Sequence, residues 1–418
     1  MIEYIKIRNF LSIKDEIIVD FSSDRRWNKK DNVFSVWKKI LTKNILLYGA
    51  NASGKSNIIN AFGMVKFFAT KDNLPKWFIT NFLLDKDSID KSSFFEVSFF
   101  INKKNYVYNF EIYDNIILKE SLCYINSKNE KKFLFKRNKQ KIKAFNWFEK
   151  ELKKWEWKIK ENSSVISVLA RWNWKLDKKP IDFFFRRMNF IKWDNLKNWL
   201  TIRLLDLENN KKAKKFLIEL LKLADFSIED LKIEKKPIPP ELIEKIKKDF
   251  WGEILDRLED KKMINIKLWH KVNWDSNLEY FDLEYESDWT KRFFNLIWPI
   301  VDTIFNEKIL FIDEIENELH YLILKEILKL INSNIQNKKY QFIFTTHNID
   351  LLDLDILKKD QIAFVEKNEH QSTEFYKLSD FEDIRKELDV KKLYKHGAFG
   401  AIPNIVDFRI LLNSYGKE

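Results

Sequence analysis

Gly49-Ala50-Asn51-Ala52-Ser53-Gly54-Lys55-Ser56 fits the phosphate-binding loop pattern G-x-x-x-x-G-K-[ST] without a mismatch. Its flanks have the order the chemistry needs. Lys43 to Tyr48 (KNILLY) reads as a short buried strand, and from Asn57 onward the apolar residues fall at helical spacing. Glycines in such a loop let backbone N–H groups turn inward around a phosphate chain, and the helix N-terminus adds positive potential. Lys55 is then placed to reach the β- and γ-phosphates of a bound nucleotide, and the Ser56 hydroxyl to sit on Mg²⁺. Gly49, Ala50, Asn51, Ala52, Ser53, Gly54, Lys55, Ser56 and Asn57 are the expected nucleotide-binding stretch. The bland alternative is a glycine turn that happens to precede a helix, and the matched strand and helix weigh against it.

Composition bounds the rest. A chain of 418 residues can bury a large core and has room for two or three domains. No apolar run approaches the roughly 20 residues of a membrane span. The N-terminus alternates like a strand and lacks the marks of a signal peptide. A single cysteine, Cys123, excludes an intrachain disulfide and fits a reducing cytoplasm. The net charge of +12 permits a nucleic-acid partner, while a lysine-rich solvated surface accounts for it equally well. Tryptophan outnumbers glycine by 15 to 7, although glycine ordinarily supplies about 7% of residues. An AT-rich gene depletes glycine but does not enrich tryptophan. Both biases follow if UGA codons that the cell reads as glycine stand here as tryptophan.

Along the chain, residues 2–20 read as two strands with Asn9-Phe10-Leu11-Ser12-Ile13 at the turn, and residues 24–32 as a charged loop. Residues 94–101, 105–113 and 116–124 read as an antiparallel meander, being aromatic and β-branched and separated by Asn102-Lys103-Lys104 and Asp114-Asn115 turns. From residue 127 the character changes. Residues 131–160 carry 12 Lys/Arg against 3 Glu, interleaved with aromatics. That pattern suits a nucleic-acid surface, or an amphipathic helix with a lysine face, and the helix is the favoured reading. Ala213, Phe216, Leu217, Leu220, Leu221 and Ala224 predict a helix, and Pro237, Pro239 and Pro240 precede another beginning near Glu241.

The second half returns to nucleotide chemistry. Lys308-Ile309-Leu310-Phe311-Ile312-Asp313-Glu314 is an apolar strand ending in two acids. Such a strand delivers carboxylates to a sheet edge, Asp313 for the metal and Glu314 to activate the attacking water as general base. Gln341-Phe342-Ile343-Phe344-Thr345-Thr346-His347-Asn348 is a second buried strand, and His347 at its end is a candidate contact for the γ-phosphate. The helix predicted over residues 321–332 supplies the crossover that a parallel sheet requires.

With these motifs in place the chain resembles the ABC-type ATPases of the SMC and RecF group. More closely, it resembles stand-alone bacterial AAA/ABC-like ATPases related to the OLD (overcoming lysogenisation defect) family. The matching residues are Lys6-Ile7-Arg8-Asn9-Phe10, Tyr48 to Asn57, Ile312 to His320, Phe344 to Asn348, and the tail from Tyr394 to Pro403. The resemblance implies an α/β fold: an ABC-type P-loop head, a mixed sheet with helices plus an antiparallel β lobe. Residues 1–126 and 274–418 would build that head, interrupted by a mostly helical insertion at 127–273. It also implies a homodimer with ATP sandwiched between two heads, and a D-loop at residues 316–320. In that arrangement Ser287 opens the signature helix that caps the γ-phosphate of the opposite subunit.

The resemblance breaks at two places. Where the family pattern has serine, any residue, then glycine, this chain has Ser287-Asp288-Trp289. An indole there blocks the close backbone approach that glycine permits, so either the trans-site is dead or Trp289 is a misread glycine. No glutamine stands between Ser56 and Lys139, so the expected Q-loop residue is missing. OLD-family proteins also carry a C-terminal Toprim nuclease, for which residues 348–418 are too short. The implied effector is therefore a separate protein, and the implied role an ATP-driven motor or sensor in a multi-component system, connected by the resemblance with phage defence. The alternatives are a nucleotide-switched scaffold with little turnover and a RecF-like DNA-repair ATPase.

Overall fold

Ile309–Ile312 and Gln341–Thr345 are buried at every residue, which requires a sheet covered on both faces. The computed structural model describes residues 1–23, 30–71, 81–145, 147–172, 180, 183–191, 210–224, 228–237, 262–271, 278–316, 319–335, 337–382, 384–385, 388–403 and 409. Its first part runs β1 (Ile2–Arg8), β2 (Ile17–Asp20), β3 (Val33–Val36), β4 (Lys39–Thr42), β5 (Asn44–Tyr48), α1 (Lys55–Thr70) and α2 (Lys86–Ile89). Then come β6 (Ser93–Ile101), β7 (Lys104–Tyr113), β8 (Ile116–Ile125), β9 (Lys131–Asn138), β10 (Lys141–Ala144), α3 (Trp147–Trp155) and α4 (Val165–Trp172). The middle holds β11 (Met188–Ile191), α5 (Lys211–Leu223), β12 (Ile228–Pro237), β13 (Lys262–Lys271) and β14 (Leu278–Asp282). The last part comprises α6 (Asp288–Phe305), β15 (Ile309–Ile312), α7 (Tyr321–Asn332), β16 (Gln341–Thr345), β17 (Ile362–Lys367), β18 (Thr373–Lys377) and α8 (Val390–Lys395).

The nucleotide motifs meet in a six-stranded sheet of order β11-β15-β16-β5-β17-β18, parallel from β11 to β17 with β18 antiparallel at the edge. Strand side chains alternate between faces. Leu310 and Ile312 accordingly pack in one core with Phe294, Ile297 and Val301 of α6 and Leu324 and Leu328 of α7. Ile309 and Phe311 pack in the other core with α1. On that side a seven-stranded antiparallel sheet, β10-β9-β8-β7-β6-β1-β2, closes over α1. The Phe62 ring lies 4.7 Å from Phe311 of one sheet, and Phe68 stacks at 4.0 Å on Phe110 of the other. The helix that follows the phosphate loop is thus clamped between two sheets.

The predicted meander and both strands of residues 2–20 are present, and the mixed sheet with its antiparallel lobe is the expected α/β head. The lysine-rich stretch differs from its prediction. Residues 131–138 and 141–144 form the hairpin β9–β10 and extend the meander, leaving only Trp147–Trp155 as α-helix. The physical reason lies in the pairing. Leu134, Phe135 and Arg137 turn inward, with Phe135 stacked on Phe148 and Arg137 beside the buried Glu120 carboxylate. Exposed Lys141 and Lys143 on the edge strand β10 discourage further strands from docking there. The wider stretch 127–273, expected to be mostly helical, holds five strands among its described residues, β9 to β13, alongside α3, α4 and α5. One of them, β11, joins the parallel sheet beside β15. The helix expected near Glu241 lies outside the described residues.

Candidate nucleotide-binding site

In parallel sheets, ligands sit beyond the carboxyl ends of the strands. β5 ends at Tyr48 and opens directly into the Gly49–Ser56 loop, which closes on the first turn of α1. Both loop glycines are sterically required. A Cβ on Gly49 would lie 2.1 Å from the Val365 carbonyl oxygen. One on Gly54 would lie 2.1 Å from the Thr373 Oγ1, and Gly54 has a left-handed φ of +109°. The Thr373 hydroxyl donates to the Ser53 carbonyl at 2.9 Å and lies 2.7 Å from the Ser12 Oγ. Asn57, expected among the nucleotide-binding residues, donates from its Nδ2 to that same Ser12 oxygen at 2.7 Å. Edge strand β18 and the β1–β2 turn therefore brace the loop from outside.

Lys55 is 5% exposed, and its Nζ donates to the carbonyls of Gly49 (2.9 Å) and Ala50 (2.8 Å). Burial pulls its pKa down to about 8, against the opposing pull of Asp313, Glu316 and Glu314. Asp313 follows β15, and its Oδ1 accepts from the Ser56 hydroxyl at 3.1 Å. A hydroxyl and a carboxylate this close are hard oxygen donors of the kind Mg²⁺ takes from a protein when phosphate and water complete its shell. The residues present therefore fit the ion. Glu314 projects into solvent from a left-handed φ of +56°, an uncommon conformation for a non-glycine residue.

The strand register brings these groups together. Ile312 pairs with Phe344, so the following residues, Asp313 and Thr345, lie side by side. The Thr345 hydroxyl donates to Asp313 Oδ1 at 2.6 Å and accepts the Glu314 backbone N–H at 2.7 Å. Two residues beyond it, the backbone N–H of His347 donates to the Glu316 carboxylate. Gly49, Ala50, Asn51, Glu314, Glu316 and His347 line one cavity of about 1010 Å³. The opposite wall comes from the tail: Tyr394, Lys395, Ile402 and Pro403.

Ser287 stands elsewhere. It is the N-cap of α6, its Oγ accepting the Thr290 N–H at 3.0 Å, and it is absent from the cavity lining. Trp289 packs half-buried against Phe293 on the first turn of that helix. Of the segment 316–320, Asn317 and Glu318 lie outside the described residues. Glu316, read from the sequence as part of the D-loop, lines this cavity, and the sequence reading missed Thr345, Thr373 and Ser12. Their spacing carries no motif, and only the Thr-Thr ahead of His347 hinted at the first.

The family described as "AAA domain, putative AbiEii toxin, Type IV TA system" matches residues 45–355. No curated protein sequence matches significantly. Among solved structures, the chain is similar to an Smc head bound to the C-winged-helix domain of ScpA, with 14% identity, 94% of this chain and 99% of that one covered, and a TM-score of 0.49. It is also similar to the SMC head domain from Thermotoga maritima, with 13% identity, 90% and 98% covered, and a TM-score of 0.40. RecF in complex with an ATP analogue gives 13% identity, 90% and 98% covered, and a TM-score of 0.36.

Proposed function

Since the chain belongs to the AAA-domain family matched over residues 45–355, we propose that it binds and hydrolyses ATP as an ABC-type head that dimerises on the nucleotide. The observation that carries this reading is the convergence of Lys55, Ser56, Asp313, Glu314 and His347 beyond the carboxyl ends of β5, β15 and β16, with Glu314 and His347 lining the cavity. Lys55 exchanges its two carbonyl partners for β- and γ-phosphate oxygens, and the backbone of Gly49 to Ser56 wraps the phosphate chain. Ser56 and Asp313 would hold Mg²⁺ there, and the bound ion would neutralise charge developing on the phosphates. Glu314, exposed at the cavity rim, takes a proton from the attacking water, and His347 contacts the γ-phosphate. The test is phosphate release by wild type and by Glu314→Gln. Turnover in the wild type that falls at least a hundredfold in the variant, with nucleotide binding retained, supports the reading; equal and negligible rates leave a nucleotide-switched scaffold.

In this proposal the ATP cycle drives a multi-component system, with the work output on a separate effector protein. The OLD-like tail motif supports a place in phage defence. A RecF-like role in DNA repair would instead show salt-sensitive DNA binding that strengthens with ATP.

The trans half of the site turns on residue 289, and we propose that glycine stands there in the cell. Two other tryptophans support this. Trp37 opens the two-residue turn between β3 and β4 with a left-handed φ of +52°, a turn position that favours glycine and disfavours an indole. Trp298 is 1% exposed, and its indole N–H finds no hydrogen-bond acceptor among the described residues, against the habit of buried tryptophans. With glycine at 289 the N-terminus of α6 is open to an anion from a second copy, next to Ser287. UGA codons in the gene at these positions are expected; a UGG codon at 289 refutes the substitution.

A further inference from the structure

Thr345 is wholly buried at the end of β16, and its hydroxyl uses its proton and a lone pair on two different groups of the neighbouring turn. The proton goes to the Asp313 carboxylate, and the lone pair takes the Glu314 N–H. A third bond runs from the Ile315 N–H to the Thr345 carbonyl at 3.1 Å. One residue therefore grips three consecutive residues of the adjoining chain: the metal-side carboxylate, the general-base residue and the one after it. The grip falls where the backbone needs it, because Glu314 has the left-handed φ of +56°. That conformation costs a non-glycine residue free energy and persists only where its surroundings hold it.

We infer that Thr345 is a positioning residue that sets the Asp313 carboxylate toward Ser56 and fixes the direction in which Glu314 leaves the sheet. The inference rests on the proposed reading of the site as a Mg²⁺-nucleotide site. Asp313 Oδ1 accepts from Thr345 and from Ser56 together, at 2.6 Å and 3.1 Å. Once Ser56 turns to the ion, the Thr345 hydroxyl still holds the carboxylate in orientation. Such outer partners of metal-binding carboxylates set ligand geometry, and their loss typically weakens metal affinity or activity about 10- to 100-fold. Because His347 follows only two residues after Thr345, the last residue of β16, one short stretch of chain carries the γ-phosphate contact and the clasp on the metal carboxylate. A shift of β16 on nucleotide binding then moves both together.

Thr345→Val removes the hydroxyl with little change of shape, and Thr345→Ser restores it. The decisive readout is the Mg²⁺ concentration giving half-maximal fluorescence change with a labelled ATP analogue, set beside nucleotide affinity in EDTA and the thermal unfolding midpoint. The expected result is a tenfold or greater rise in the Mg²⁺ half-saturation for Thr345→Val. Metal-free affinity should remain as in wild type, and Thr345→Ser should recover most of the loss. A Thr345→Val protein with the wild-type Mg²⁺ response overturns the inference. So does a serine variant as impaired as the valine one, which would mark a packing defect. The titration needs no turnover, so absence of hydrolysis in the wild type would remove the ATPase reading while the Mg²⁺ series still judges Thr345.

Discussion

Raising the pH should weaken nucleotide binding through Lys55, and the size of the effect follows from its surroundings. The ammonium is buried beneath the loop, where among the described residues its hydrogen bonds go to carbonyls, and burial leaves its pKa near 8. A bound triphosphate sets several negative charges against it and returns the pKa to the ordinary lysine range, about 10.4. The complex then holds a proton that the free protein has begun to lose. Binding takes up protons, and affinity falls as pH rises through the free-protein pKa. Linkage gives a loss on the order of tenfold between pH 7.5 and pH 9, with about 0.7 proton taken up per nucleotide at pH 8.5. Calorimetric titration with a non-hydrolysable ATP analogue, in buffers of different ionisation enthalpy at pH 8.5, reads both quantities. Lys55→Met should bind weakly and without the pH slope. Affinity constant from pH 7.5 to 9, with no proton uptake, would refute the claim that Lys55 is both depressed by burial and restored by phosphate.

Two further outcomes test other parts of the molecule. Trp289→Gly should form an ATP-dependent dimer in the Glu314→Gln background, seen by light scattering, where the Trp289 chain stays monomeric; equal behaviour of the two removes residue 289 from the interface. In the β lobe, Arg137 and Glu120 are fully buried partners at 3.6 Å, and Arg137 also donates to the Ser163 and Lys160 carbonyls. Arg137→Met should cost about 3–5 kcal/mol in denaturant unfolding, because it leaves a buried carboxylate without its cation. Burial already holds the Glu120 pKa above the ordinary carboxylate value, and losing Arg137 raises it further. The folded variant then takes up a proton more readily than the unfolded chain, so its deficit should shrink as the pH is lowered.

The nucleotide motifs and most elements that carry them are legible in the order of residues alone, because those signals are local. A glycine loop between strand and helix, or an apolar run ending in Asp313-Glu314, needs only a few consecutive residues to be recognised. The lysine-rich hairpin β9–β10 escaped because charge dominates its composition and masks the strand pattern, although β8, the strand it pairs with, lies just upstream across a short turn. How the site is braced emerges only from the folded chain. Ser12 and Thr373 are 361 residues apart in sequence yet meet behind the phosphate loop, and Thr345 reaches Asp313 across 32 residues through the register of two parallel strands. The tail from Tyr394 to Pro403 becomes a cavity wall only once β17 and β18 fold it back toward Gly49. The residues expected to hold the nucleotide carry local patterns. Those that hold them in place do not, because a hydrogen bond between distant strands leaves no periodicity in either one.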